Sequence, residues 1–301
     1  MSGPIRTILA AVDFSASSER ALDYALAVAK FAGATLHVLH AWRAPPWSPP
    51  VGSPPLEQSA LIESAFDSWR RSAEQELGAL RERAEREGVA CRTHLEIGVA
   101  SATIAQAVKE LGADLALLGA RGRSALAHVL LGSVAERVMR ISTCPVLVVP
   151  ERAPLPPRLP LRRVVVAVDF SPPAHRALGL ALRLGEVLGR PEIVLLYAHY
   201  IPKEIEAVAG VEFARALDGV ENRPQQKLEE WSRSLRDEGW RVRCRVMRER
   251  PEDAIVKLAE AEGADLITLG VHGHVPLAAA LLGSVAERVV RRAPCPVGSV
   301  R

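Results

Sequence analysis

The chain is written twice. Ile8-Leu-Ala-Ala-Val-Asp13-Phe-Ser15 returns as Val164-Val-Val-Ala-Val-Asp169-Phe-Ser171, and Leu130-Leu-Gly-Ser-Val-Ala-Glu-Arg-Val138 returns unchanged as Leu281 to Val289. Cys144-Pro-Val is matched by Cys295-Pro-Val. The early motifs lie 156 residues apart and the late ones 151, so the second copy carries a net deletion in its middle. Self-similarity on this scale means one fold used twice. The 301 residues suit two units of about 150. Between the copies, Pro150-Glu-Arg-Ala-Pro-Leu-Pro-Pro-Arg-Leu-Pro160 is too proline-rich for a helix or a central strand. The expected organisation is a first domain at 1–150, a stiff linker at 151–160 and a second domain at 161–301.

In both copies short apolar runs alternate with helical patterns. Strands are predicted at 8–12, 35–41, 90–97, 114–118 and 145–149, and again at 164–168, 192–198, 241–247, 265–269 and 296–300. The last of these reads as weak because Gly298 interrupts it, leaving the second copy with the weaker edge. The first helix is capped within 15–18, repeats Ala21, Leu22, Ala25, Leu26 and Ala29 on one face, and stops at Gly33. Further helices are predicted at 56–87, 102–111 and across 134–140, then at 173–188, 204–238 and 252–262. This alternation predicts parallel α/β sheets with helices on both faces. Ligands of such sheets sit beyond the carboxyl ends of the strands.

One motif follows the fourth strand of each copy. Gly119-Ala-Arg-Gly122, nine residues and Gly132-Ser133 correspond to Gly270-Val-His-Gly273, nine residues and Gly283-Ser284. A strand, a glycine loop and a helix start form a phosphate cradle, because glycine lets backbone N–H groups approach an anion and the helix start adds unpaired donors. Each glycine alone reads as a turn former. Ser133 and Ser284 read as helix caps, phosphate donors or both. Asp13 and Asp169, at the ends of the first strands, read either as caps or as ligand carboxylates.

The entry Val-Asp-Phe-Ser, the Gly-x2-Gly-x9-Gly-Ser motif and the closing Cys-Pro-Val together resemble the universal stress protein family, in its ATP-binding branch and as a tandem two-domain member. The resemblance covers nearly the whole chain. It implies two Rossmann-like domains, each a five-stranded parallel sheet in the order 3-2-1-4-5, which sets strands one and four side by side. It also implies an adenine nucleotide as ligand. Asp13 then stands near the ribose, with a bridging Mg²⁺ as the lesser alternative. Gly119, Gly122, Gly132 and Ser133 stand at the phosphates, and His40 and Ala41 beside the adenine. The matching positions in the second copy are Asp169, Gly270, Gly273, Gly283, Ser284, Tyr197 and Ala198. Tandem members resemble dimers of single domains, so an intrachain pseudo-dimer packed through the last strands is expected, with pairing of whole chains left open. The implied role is an ATP-binding regulatory or stress-response module with an unidentified protein partner. A weak ATP hydrolase and a nucleotide-independent scaffold are the alternatives.

The walls of the two cradles differ. Arg121 and Arg123 become His272 and His274, trading fixed charge for rings mostly neutral at pH 7. Gly98 becomes Glu249, which brings bulk and negative charge toward the second site, and Val99 becomes Arg250, able to offset it. The first site is therefore expected to bind ATP better. Other readings are negative. A net charge of +3 makes no case for nucleic acid, and no apolar run is long enough to span a membrane. Cys91, Cys144, Cys244 and Cys295 are too widely spaced for paired metal ligands and read as reduced thiols of a cytosolic protein. His37, His94 and His128 read as ordinary strand or surface residues. The proline-rich stretch at 44–55, beside Trp42 and containing Trp47, reads as a stiff lid or plain connector, with a partner-recognition ridge as the lesser alternative.

Overall fold

The computed structural model describes residues 3–42, 59–122, 131–200, 210–271 and 282–301. The first half runs β1 (Thr7–Val12), α1 (Ala16–Ala32), β2 (Thr35–Trp42), α2 (Ser59–Arg86), β3 (Cys91–Ile97), α3 (Ala100–Glu110), β4 (Leu115–Gly119), α4 (Ser133–Ile141) and β5 (Val146–Val149). The second runs β6 (Arg163–Ala167), α5 (Pro172–Leu188), β7 (Glu192–Ala198), α6 (Gly210–Asp237), β8 (Val242–Met247), α7 (Pro251–Glu262), β9 (Leu266–Gly270), α8 (Ser284–Arg292) and β10 (Val297–Val300). The stretch at 44–55 lies outside the described residues, as do His128, Arg123, His272, Gly273 and His274.

Each half has its strands in the expected order, third, second, first, fourth, fifth, all parallel. The two sheets are nevertheless one. β5 and β10 pair antiparallel, with Val148 opposite Val297 and Val146 opposite Ser299, giving a ten-stranded sheet. Alternate strand residues feed two cores on opposite faces. Ile8, Ala10, Leu36 and Val38 pack on one, under α1, α2, α5 and α6. Leu9, Leu39, Ala116 and Val165 pack on the other, under α3, α4, α7 and α8. Both cores run across the seam, so the halves share their burial.

Gly298 is corrected by this arrangement. It sits in the middle of the sheet beside Leu147, not on an edge. A Cβ there would lie 3.1 Å from Cδ2 of Leu180 on α5 and 3.4 Å from Cγ2 of Thr268. The glycine lets α5 lie close over the joint. Arg183 of the same helix donates to Asp114 Oδ1 at 2.5 Å across the seam. Asp114 is not a strand residue: its Oδ2 accepts from the backbone N–H groups of Arg6 (2.8 Å) and Thr7 (3.0 Å), tying β4 to β1. Asp265 does the same for Arg162 and Arg163 in the second half. Segment 151–160 is laid against α1, where Tyr24 Oη donates to the Pro154 carbonyl at 2.7 Å.

The strand-to-helix turn after β1 is built by its own side chains. Ser15 caps α1 with a capping box to Ser18, and Gly33 at φ +64° ends the helix. Ser171 caps α5, whose first turn holds proline. Between strand and cap, Phe14 and Phe170 adopt φ +58° and +64°. A bulky residue in that region costs on the order of 1–3 kcal/mol and is held there by its surroundings.

Candidate functional site

A cavity of about 390 Å³ opens beyond the carboxyl ends of β1 and β4, where these neighbouring strands diverge toward α1 and α4. Asp13, Ala41, Gly119, Arg121, Gly122, Gly132 and Ser133 line it, with Leu39, Ile104 and Leu118 as its apolar floor. The second half repeats it at about 280 Å³ with Asp169, Ala198, Gly270, Gly283 and Ser284 over Leu196, Ile255 and Leu269. Both combine an apolar lining with a few convergent polar groups; the first is within the size range of small-molecule sites and the second just under it.

The glycines hold the first cradle together by close approach. A Cβ at Gly119 would lie 2.6 Å from the Ser17 carbonyl oxygen, so β4 ends against the first turn of α1. Ser17 Oγ accepts from the Arg121 N–H at 3.2 Å and fixes the next residue. A Cβ at Gly122 would lie 2.6 Å from Asp13 Oδ2, and one at Gly132 3.2 Å from the Ala120 carbonyl oxygen. Gly132 donates its N–H to that same carbonyl at 2.8 Å, closing the loop onto the strand end.

The helix caps differ from the sequence reading. Gly132 and Gly283 are the N-cap residues of α4 and α8, in extended conformation and without a side-chain capping bond. Ser133 and Ser284 are the first helical residues, which places both beside first-turn amides that no intrahelical carbonyl satisfies. The Asp residues are not caps either. Asp13 Oδ1 accepts from Ser15 N–H (3.2 Å) and Oγ–H (2.5 Å), and Asp169 Oδ1 from Ser171 N–H (3.0 Å) and Oγ–H (2.5 Å). One carboxylate oxygen thus shapes the turn, and the serine does the capping.

At the end of the second strands only the alanines line the cavities. His40 and Tyr197 point to the opposite face of the sheet, as the period of two requires. His40 Nδ1 is 2.7 Å from the Val12 carbonyl oxygen, its ring packed on Phe14, while Tyr197 stacks on Phe170. These rings buttress the two strained phenylalanines. Nothing in the sequence motif signalled that role.

The expected charge conflict in the second site does not occur. Glu249 accepts from Lys257 Nζ at 2.5 Å, and Arg250 lies over the Tyr200 ring at 5.1 Å. Neither lines the cavity, nor does Gly98, where a Cβ would meet Thr103 Oγ1 at 2.5 Å. The corresponding wall is Ala100 with Ile104 in the first half and Pro251 with Ile255 in the second. Arg121 does line the first cavity, but its Nη1 is shared with both carboxylate oxygens of Glu151 at 3.0 Å.

The sequence pattern of the universal stress protein family matches residues 4–150 and again 160–301, which together are nearly all of the chain. The chain belongs to the universal stress protein family. A universal stress protein of Mycolicibacterium smegmatis is 28% identical over 309 residues, covering 98% of this chain and 96% of its own length. One from Mycobacterium tuberculosis is 30% identical over 186 residues; the match takes in 62% of this chain and spans 61% of that relative's length. YxiE of Bacillus subtilis, another universal stress protein, is 35% identical over 143 residues, 47% of this chain and 97% of YxiE. Among solved structures, a universal stress protein from Archaeoglobus fulgidus superposes over 99% of both chains with a TM-score of 0.70 at 24% identity, a likeness of fold. The tandem architecture is therefore shared by a solved member of the family along its whole length. Among the described residues, no helix is long and apolar enough to cross a membrane.

Proposed function

We propose that the protein binds adenine nucleotides as a regulatory module, with the first half as the principal ATP site. The observation that carries this reading is the convergence in one cavity of Asp13, the loop glycines Gly119, Gly122 and Gly132, and the start of α4. In this reading the adenine lies by Ala41 on the apolar floor, and Asp13 accepts from the ribose hydroxyls. The phosphates lie over Gly122 and Gly132, where Ser133 Oγ and the first-turn amides donate. A Cβ at Gly122 would press on the Asp13 carboxylate and one at Gly132 on the backbone of Ala120 and Arg121, so a side chain at either would disturb the frame proposed to hold the phosphates.

Among the described residues lining the first cavity, Asp13 is the one carboxylate. A Mg²⁺ ion would accordingly be held chiefly by the phosphates themselves, with Asp13 as the carboxylate that could join them. The second cavity has the same frame, and it is smaller, walled by Pro251 where the first has Ala100. The preference for the first half rests on that difference in room, not on Glu249. Mass spectrometry of small molecules released on denaturing the purified chain tests the reading. An adenine nucleotide at about one per chain supports it. Two per chain would remove the asymmetry, and none, together with silent titrations, would favour a scaffold role.

A further inference from the structure

Past β4 the row of strand ends continues through β5 to the seam. There another cavity, of about 230 Å³, shares Arg121 and Leu131 with the wall of the first site. Arg121, Glu151 and Arg152 reach it from the first half, and Arg291 and Arg292, in the last turn of α8, from the second. Four arginines and one glutamate therefore contribute to its lining. Pairing reduces this excess: Glu151 holds Arg121, Glu287 holds Arg291, and Asp253 holds Arg292. Arg152 has no ion-pair partner among the described residues, so the cavity keeps a positive balance.

The sheet order gives the cavity a use. A nucleotide with its base by β2 and its ribose by Asp13, just past β1, runs its phosphates past β4, and neighbouring strands step by about 4.8 Å. The next step in that direction is the seam. We infer that the seam cavity seats the terminal phosphate of a nucleoside polyphosphate bound in the first half, read by arginines from both halves. Arginine suits this task, since its planar fork donates bidentately to phosphate and stays charged. The inference deepens the nucleotide reading above and rests on it.

The repeat supplies an internal comparison. Arg291 and Arg292 on α8 correspond to Arg140 and Ile141 on α4. Basic residues in a last turn are favoured by the helix dipole alone, which accounts for one arginine on each helix. The second, Arg292, belongs only to α8, whose last turn lines the seam cavity. Counting of phosphates is thus assigned to the first half and not to the second.

The test is titration calorimetry of the full chain with AMP, ATP and tripolyphosphate, comparing wild type with Arg152→Gln/Arg292→Ile. Isoleucine is what the other copy carries at that position, so folding is expected to survive. ATP and tripolyphosphate should weaken tenfold or more while AMP stays within twofold. Equal loss for ATP and AMP, or no loss of ATP and tripolyphosphate, would overturn the inference. If wild type binds tripolyphosphate through these arginines but not AMP, the seam seat stands and the adenosine reading falls. If wild type binds none of the three, both fall. Should the double variant melt early, Arg152→Gln alone, an exposed change, should still weaken ATP about threefold with AMP unmoved; ATP unchanged in it would count against the seat.

Discussion

A Cβ on Gly122 would stand 2.6 Å from Oδ2 of Asp13. The glycine loop and the carboxylate after β1 are therefore in contact, although 109 positions separate them in the chain. The contact makes one surface of two motifs. Gly122→Ala should push the Asp13 carboxylate aside while leaving the core untouched. ATP affinity should fall about tenfold, roughly 1.4 kcal/mol, with folding stability moved by no more than about 0.5 kcal/mol. Calorimetry paired with urea denaturation checks both halves of this expectation.

Gly298 gives a test of the seam. Valine is the better strand former, so at a sheet edge Gly298→Val would stabilise. In the middle of the joint its methyl groups meet Leu180 and Thr268. The variant should lose about 1–3 kcal/mol, the usual cost of overpacking a filled core. A urea midpoint at or above wild type would mean the halves do not meet as described.

His37 and His94 carry a pH dependence. Their ring nitrogens lie 2.9 Å apart, His37 buried on β2 and His94 half-buried on β3. Burial pushes both rings below the usual imidazole range, with Arg92 adding to this and Glu96 opposing it at His94. As pH falls, the unfolded chain then takes up these protons before the folded one does. Stability from this pair is full above about pH 6.5 and declines as pH drops below it toward the folded values. His37→Val, which installs the residue found at the same place in β7, should lose less stability between pH 7 and 5 than wild type. Parallel urea curves at the two pH values read this directly; an unchanged acid slope would refute it.

Much of this was legible in the sequence because it was written twice. The repeat locates the strand ends, and the resemblance implies their order, which together set Asp13 beside Gly119. The seam was only partly legible: Val146–Val149 and Val297–Val300 read as strands, but an apolar run does not say what pairs with it. Gly298 looked like a weakness for that reason. Glu249 was misplaced on different grounds. Alignment set it beside the site, while its pairing with Lys257 eight residues later depends on how α7 is turned. That Ala41 and not His40 lines the cavity follows from strand periodicity alone. The turn at Phe14 was not, since positive φ at phenylalanine follows from its packing, not from its type.

The central claim is that the first glycine-serine frame holds the nucleotide. Gly132→Glu and Gly283→Glu each place a carboxylate at the cap where phosphate would sit, one in each half. Titrated with ATP, the chain should lose its main binding event in Gly132→Glu, by a hundredfold or more, and keep it in Gly283→Glu. ATP binding that survives Gly132→Glu unchanged, or that is lost more heavily in Gly283→Glu, would contradict the account.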